Sequence, residues 1–106
     1  MELMRPIIDR WMQLSKELKV AVTIQKMTEM GEVPYFTSIW ETINKIDDFP
    51  KTSLHNALDN LTDIGQIEGQ TEDDAWQKVG DKWVRGFSIV GPGKEFIEKL
   101  TREVYY

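Results

Sequence analysis

The chain has no cysteine among its 106 residues, which removes disulfide frameworks and thiolate metal sites together. That absence fits a reducing interior, and a cytoplasmic location is the expectation. It has a single histidine, His55, and no glycine-rich phosphate loop with an adjacent lysine. The acid pairs at 47 to 48 and 73 to 74 fall in turn-like stretches where water would solvate them. Nucleophilic, acid-base and phosphoryl-transfer catalysis therefore lack their residues, and neither an enzyme nor a cofactor is expected. Long uncharged runs are missing too. The longest stretches free of Asp, Glu, Lys and Arg are eight residues, 33 to 40 and 86 to 93, against about 20 for a membrane-spanning helix. The N-terminus lacks the basic-then-apolar layout of a signal peptide, so no membrane partner is expected. Positive charge is also in deficit. A formal net charge of -5 argues against wholesale polyanion binding, so any nucleic-acid role must rest on a local patch.

What is present is enough for one domain spanning 1 to 106, with 41% hydrophobic residues and four tryptophans. Residues 6 to 30 read as helical, with Pro6 at a first-turn position and Gly31 as the stop. Two apolar stripes run through this segment on opposite sides of an ideal wheel: Ile7, Trp11, Leu14 and Leu18, then Val20, Ile24 and Met27. Either the chain breaks near Lys19 or one helix buries two sides, and the β-branched run "VAVTI" also suits a short strand. A compact core absorbs one side of a surface helix, which makes the earlier stripe a candidate for a partner chain. The alternative is a bent helix wrapped on its own core.

From Pro34 to Ile46 a second helix carries Phe36, Ile39, Trp40 and Ile43 at spacings of three and four, until Pro50 in "DDFP" interrupts it. A third follows within four residues, burying Leu54, Ala57, Leu58, Leu61 and Ile64 and closed by Gly65. Two helices so joined form a helix-turn-helix pattern, common on its own. Next comes a hairpin signal over about 75 to 90, "AWQKV-GD-KWVRGFSIV", in which Gly80-Asp81 suits a tight primed turn. A two-residue loop sets Val79 opposite Lys82, Lys78 opposite Trp83, and Trp76 opposite Arg85, placing aromatics against cations. The "EDD" at 72 to 74 predicts a bulge or loop between Gly69 and Ala75. Gly91-Pro92 then opens a last helix with Phe96, Ile97 and Leu100 inward.

The fold class expected is mainly α with a small β-hairpin (α+β). "TSLHNALDNLTDIGQIE" and "KWVRGFSIVGPGKEFIEKL" resemble the second helix of a helix-turn-helix with its closing Gly-x-Ile, and the end of a wing with the helix after it. On these residues the chain resembles the winged helix-turn-helix superfamily of transcriptional regulators over about 20 to 103. Within it the chain is most similar to the PadR and MarR kinds. Residues 1 to 19 are then an N-terminal helical extension and a candidate dimer arm. Two positions depart from the pattern: Gln66 where a second apolar residue is usual, and Val90 where a Thr caps the last helix.

The resemblance implies sequence-specific binding of double-stranded DNA, with the helix of about 51 to 64 in the major groove. Thr52, Asn56, Asp59 and Asn60 point away from the buried positions, and Lys51 and His55 flank them. Asn reads adenine in bidentate fashion, Thr52 and Ser53 suit a base edge or a phosphate, and Lys51 lies at the positive end of the helix dipole. Lys78, Lys82 and Arg85, with Trp83 beside them, would meet backbone or minor groove; Trp76 and Trp83 serve equally as wing support. Asp59 and Asp63 oppose phosphate. The same polar face suits any solvated helix, and His55 with Asp59 has metal-ligand spacing without a third ligand. A homodimer is expected because one helix reads only a half-site, with Ile7, Trp11, Leu14, Leu18, Tyr105 and Tyr106 as its surface. The alternative is a winged-helix module for protein-protein contact.

Overall fold

The run Val20 to Ile24 is helical, and it forms the centre of the molecule. The computed structural model describes residues 5–69 and 76–105, with the side chains of Trp76, Gln77, Lys82, Trp83 and Arg85 outside that description. Five helices are seen among the described residues: α1 (Ile8–Met12), α2 (Lys16–Glu29), α3 (Phe36–Asn44), α4 (Lys51–Asp63) and α5 (Lys94–Val104). Four short strands, β1 (Ile67–Gly69), β2 (Trp76–Val79), β3 (Lys82–Arg85) and β4 (Phe87–Ile89), pair as two antiparallel ladders, β1 with β4 and β2 with β3. The fold is mainly α with a small antiparallel β component. None of the described helices is long and apolar enough to cross a membrane.

The segment 6 to 30 is broken, four residues earlier than Lys19. Ser15 takes extended geometry and its hydroxyl accepts from the Leu18 N–H at 3.2 Å, which caps α2 and separates it from α1. At its other end Gly31, with φ of 77°, lets the Glu32 N–H reach the Met27 carbonyl at 2.9 Å and its own N–H reach Thr28 at 3.1 Å. This is a Schellman closure. Gly65 closes α4 in the same way, with Gln66 N–H on the Leu61 carbonyl at 2.9 Å and Gly65 N–H on Thr62 at 3.0 Å.

Between its ends α2 packs against α3, α4, α5 and β4. It is therefore an interior helix, and the two apolar stripes of the segment 6 to 30 are both spent within the chain. Trp11 is fully buried, its ring edge-on to Tyr105 at 6.1 Å between centroids. Tyr105 is itself buried and shares a 3.0 Å hydrogen bond with the Thr23 hydroxyl, while its burial pushes the phenol up to about 12. Leu14 and Leu18 are half-buried against the same core. The backbone adds a tie where the Ile7 N–H meets the Val104 carbonyl at 2.6 Å.

The second strand-like run also divides. Gly86 separates β3 from β4, and the Phe87 N–H donates to the Pro34 carbonyl at 2.8 Å, joining the strand to the segment before α3. Ile67 pairs with Ile89 and both are buried. The expected bulge between Gly69 and Ala75 lies outside the described residues. Past β4, Gln66 explains its own polarity: its amide donates to the Val90 carbonyl at 2.8 Å and its side chain occupies the space a Cβ on Gly93 would take. Gly91, at φ of 82°, passes so close to Gly65 that an added Cβ would sit 2.5 Å from the Gly65 carbonyl oxygen. In α5 the buried positions are Ile97, Thr101 and Val104 with Leu100 partly covered, whereas Phe96 points out at 58% exposure, contrary to its expected inward placement.

Removing the Trp11 side chain should therefore act on stability. Trp11→Ala is expected to cost about 3 to 5 kcal/mol, read from the urea midpoint, with the oligomeric state unchanged by sedimentation.

Candidate nucleic-acid interface

The angle of α4 is set by the break before it, residues 45 to 50. Asn44 holds that break from within: its amide donates to the Trp40 carbonyl at 2.9 Å and the Phe49 carbonyl at 3.0 Å, and its oxygen accepts from the Phe49 N–H at 3.2 Å. The Trp40 indole N–H adds a 2.9 Å bond to the same Phe49 carbonyl, and the Phe49 ring is buried. Two ring contacts then fix the first turns of α4 along α3. Lys51 Nζ stands 4.8 Å from the Trp40 ring centroid, and His55 stacks on Phe36 at 4.4 Å and 30°. Half-buried Trp40 is thus both core and support.

Lys51, Thr52, His55, Asn56, Asp59 and Asn60 are exposed along one face, while Leu54, Ala57, Leu58 and Leu61 are buried; Ile64, expected inward, is exposed instead, because it follows the last turn of α4. Two outward groups are already engaged. Ser53 accepts from Lys16 Nζ at 3.3 Å, and the Asn60 amide donates to the Glu17 carboxylate at 3.0 Å. Neither Lys16 nor Glu17 stood out in the sequence; the signal was the helix start at Ser15, which places both on the first turn of α2 facing α4. The side chains of Thr52 and Asn56 make no hydrogen bond with other described residues. Pro50 leads into α4 without a side-chain cap, and the first turn holds no acidic residue to occupy its free amides. The other half of the face differs: Glu17, Asp59 and Asp63 make it acidic.

In the hairpin the register is the expected one, with Trp76 opposite Arg85, Lys78 opposite Trp83 and Val79 opposite Lys82. Gly80 alone takes positive φ, 62°, as the first residue of a II′ turn requires. Lys78 is exposed. The side chains of Lys82, Trp83 and Arg85 lie outside the described residues. No three His, Asp or Glu side chains gather to hold a metal ion among the described residues, and His55 with Asp59 remains a pair.

The expected dimer surface is corrected. Trp11 and Tyr105 are buried within the chain, and Ile7, Leu14 and Leu18 are half-buried, because α1 folds back on α5, with Lys19 of α2 against the Trp11 ring. Tyr106 lies outside the described residues. On α1 the outward apolar side chains are instead Ile8 and Met12, at 54% and 59% exposure.

Beneath this surface sits a polar node that sequence spacing did not disclose, since its members are 28 and 36 residues apart. Lys19 Nζ and Asp47 Oδ2 form an ion pair at 2.7 Å, and the Trp11 indole N–H points at the same oxygen at 3.4 Å. It ties α1 and α2 to the break that orients α4. The hydrogen bond and charge of Lys19 hold the Asp47 carboxyl below its ordinary value of 3.8, against the opposing effect of burial. A depressed folded-state value gives stability that is fully present above the ordinary value and is lost as pH falls through the lowered one. Asp47→Asn should therefore unfold more readily than the parent chain at pH 7, and the two urea midpoints should converge as the pH falls below about 4.

Comparison with protein-family models, curated proteins and solved structures finds no match to this chain.

Proposed function

We propose that the chain is a winged helix-turn-helix module that binds double-stranded DNA as a small transcriptional regulator. In this reading α4 enters the major groove by its N-terminal half, and the β2–β3 hairpin lies on the adjacent backbone or minor groove. The observation that carries it is the free pair Thr52 and Asn56, exposed beside the uncapped, acid-free first turn of α4. The order of elements supports it: three packed helices, then a strand directly after Gly65, a hairpin with three cations in its sequence, and a return strand. Lys51 and Lys16 supply positive charge at the same end. Asn60 is withdrawn from base reading because Glu17 holds its amide. Two copies on a two-fold site would give the length of reading that one helix lacks. Their contact would not be the Trp11 stripe.

A second reading, a winged-helix surface for a protein partner, is favoured by the acidic half of α4 and by Ile64 beside it, 73% exposed. A mobility shift on random genomic duplexes at several salt concentrations separates the two: salt-dependent retardation supports DNA, and none at low salt favours the protein partner.

The log of DNA affinity should fall with the log of salt by about 0.9 for each phosphate neutralised. Replacing Lys82 and Arg85 together by Ala should weaken all duplexes alike and flatten that slope; an unchanged slope removes the hairpin from the interface. Asn56→Ala should cost about 1 to 3 kcal/mol on the preferred site and little on random DNA. Equal losses would make Asn56 a backbone contact.

A further inference from the structure

On the side of α3 that carries Glu41 and Lys45, the end of α2, the segment before α3 and the tip of the hairpin enclose an open cavity of about 420 Å³. Met27, Val33 and Val79 give it apolar surface, with Met27 buried to 2% exposure. Its volume lies at the lower end of the range for small-molecule sites, about 300 to 1,000 Å³. Two of the three hydroxyls in its wall are spent internally, Ser38 on the Val33 carbonyl at 3.0 Å and Thr42 on the Ser38 carbonyl at 2.7 Å; the third is the Tyr35 phenol. Polar recognition therefore falls to the Tyr35 phenol and four charged side chains, Glu32, Glu41, Lys45 and Lys78.

None of the four is in an ion pair with another described residue, although Glu41 and Lys45 stand one helical turn apart. Two carboxylates and two ammonium groups make a rim of zero net charge that carries both signs. A simple anion or cation gains from one pair and is opposed by the other, whereas a ligand carrying both charges satisfies both. An apolar floor under such a rim asks for a hydrophobic body attached to the dipolar head. We propose that this cavity binds a free α-amino acid with a large apolar side chain, as its zwitterion: the side chain on Met27, Val33 and Val79, the ammonium towards Glu32 and Glu41, the carboxylate towards Lys45 and Lys78. Because Lys78 and Val79 belong to the hairpin and the other walls to the helical core, the occupant ties one to the other. The site stands on the cavity alone and is independent of the DNA reading.

The full chain, labelled with ¹⁵N, is titrated separately with L-leucine, L-methionine, L-phenylalanine and L-tryptophan. Phenylacetate and phenethylamine serve as controls that share the phenylalanine ring and keep one charge each. The expected result is saturable amide shifts clustered at Met27, Val33, Thr42 and Val79 for at least one amino acid, with both single-charge controls weaker by about tenfold or more. Lys45→Ala and Glu41→Gln, both at exposed positions, should each weaken that binding while leaving the ligand-free spectrum otherwise intact. Three results would each overturn the site: no saturable shift there with any of the four at about 10 mM, an equal response to a single-charge control, or a response unmoved by both substitutions.

Discussion

From Lys19 to Gln25 every side chain of α2 is buried, and the polar ones among them must find partners inside the protein. Lys19 reaches Asp47, Gln25 reaches Glu29, and Thr23 bonds both the Lys19 carbonyl and the Tyr105 hydroxyl. Glu29 and the Lys19 carbonyl lie on α2 itself, whereas the other two partners bring distant parts of the chain into place. Asp47 is in the break between α3 and α4, and Tyr105 is at the end of α5, against which Trp11 of α1 packs. An interior helix thus fixes its surroundings through what it cannot leave unsatisfied, and the charged pair is the costliest of these to break because loss of one member strands the other. No buried side-chain nitrogen or oxygen lacks a partner among the described residues.

The surface of α4 is consequently supported from below and behind. Leu54, Ala57, Leu58 and Leu61 anchor it to α2, while the Asn44 and Trp40 bonds to Phe49 hold the angle at which it leaves α3. Phe36 and Trp40 then extend that support to the outer face by stacking on His55 and Lys51. A rigid polar face is a prerequisite for reading base edges, since a side chain misplaced by an ångström loses a bidentate contact.

Local chemistry was legible in the sequence wherever one or two residues decide a conformation. Gly31 and Gly65 end helices because a left-handed residue frees the carbonyl bonds of a Schellman closure, and Gly80-Asp81 fixed the hairpin register to the residue. Helical periodicity located α3 and α4 for the same reason. What it could not convey is which body covers a stripe. Ile7, Trp11, Leu14 and Leu18 looked surplus only on the assumption that the segment bearing them lies at the surface; the break at Ser15 lets α1 pack on α5, and no spacing rule contains that packing. In α5 the inward arc is shifted, so Ile97 and Thr101 are buried and Phe96 is not. Gly86 divides a run that reads as one strand, since the chain there turns to bond Pro34. The candidate site is legible in outline, as the exposed positions 51, 52, 55, 56, 59 and 60, but the engagement of Ser53 and Asn60 depends on residues some 40 positions away.

Those two engagements divide the face. Lys16 and Glu17 are consecutive on the first turn of α2, yet one extends its ammonium to Ser53 near the start of α4 and the other its carboxylate to Asn60 near the end. The first half of the face thereby gains a cation next to Lys51 and the helix N-terminus; the second gains an anion next to Asp59 and Asp63. A polyanion approaching this surface meets opposite signs within one helix, and at physiological salt, with a Debye length of about 8 Å, the nearer half governs. The net charge of -5 therefore does not decide the matter. It sets an overall repulsion that salt screens, whereas contact charges within a few ångströms are screened far less. On the proposed reading, phosphate would be met with the chain tilted onto the N-terminal half of α4 and Asp59 and Asp63 turned towards solvent.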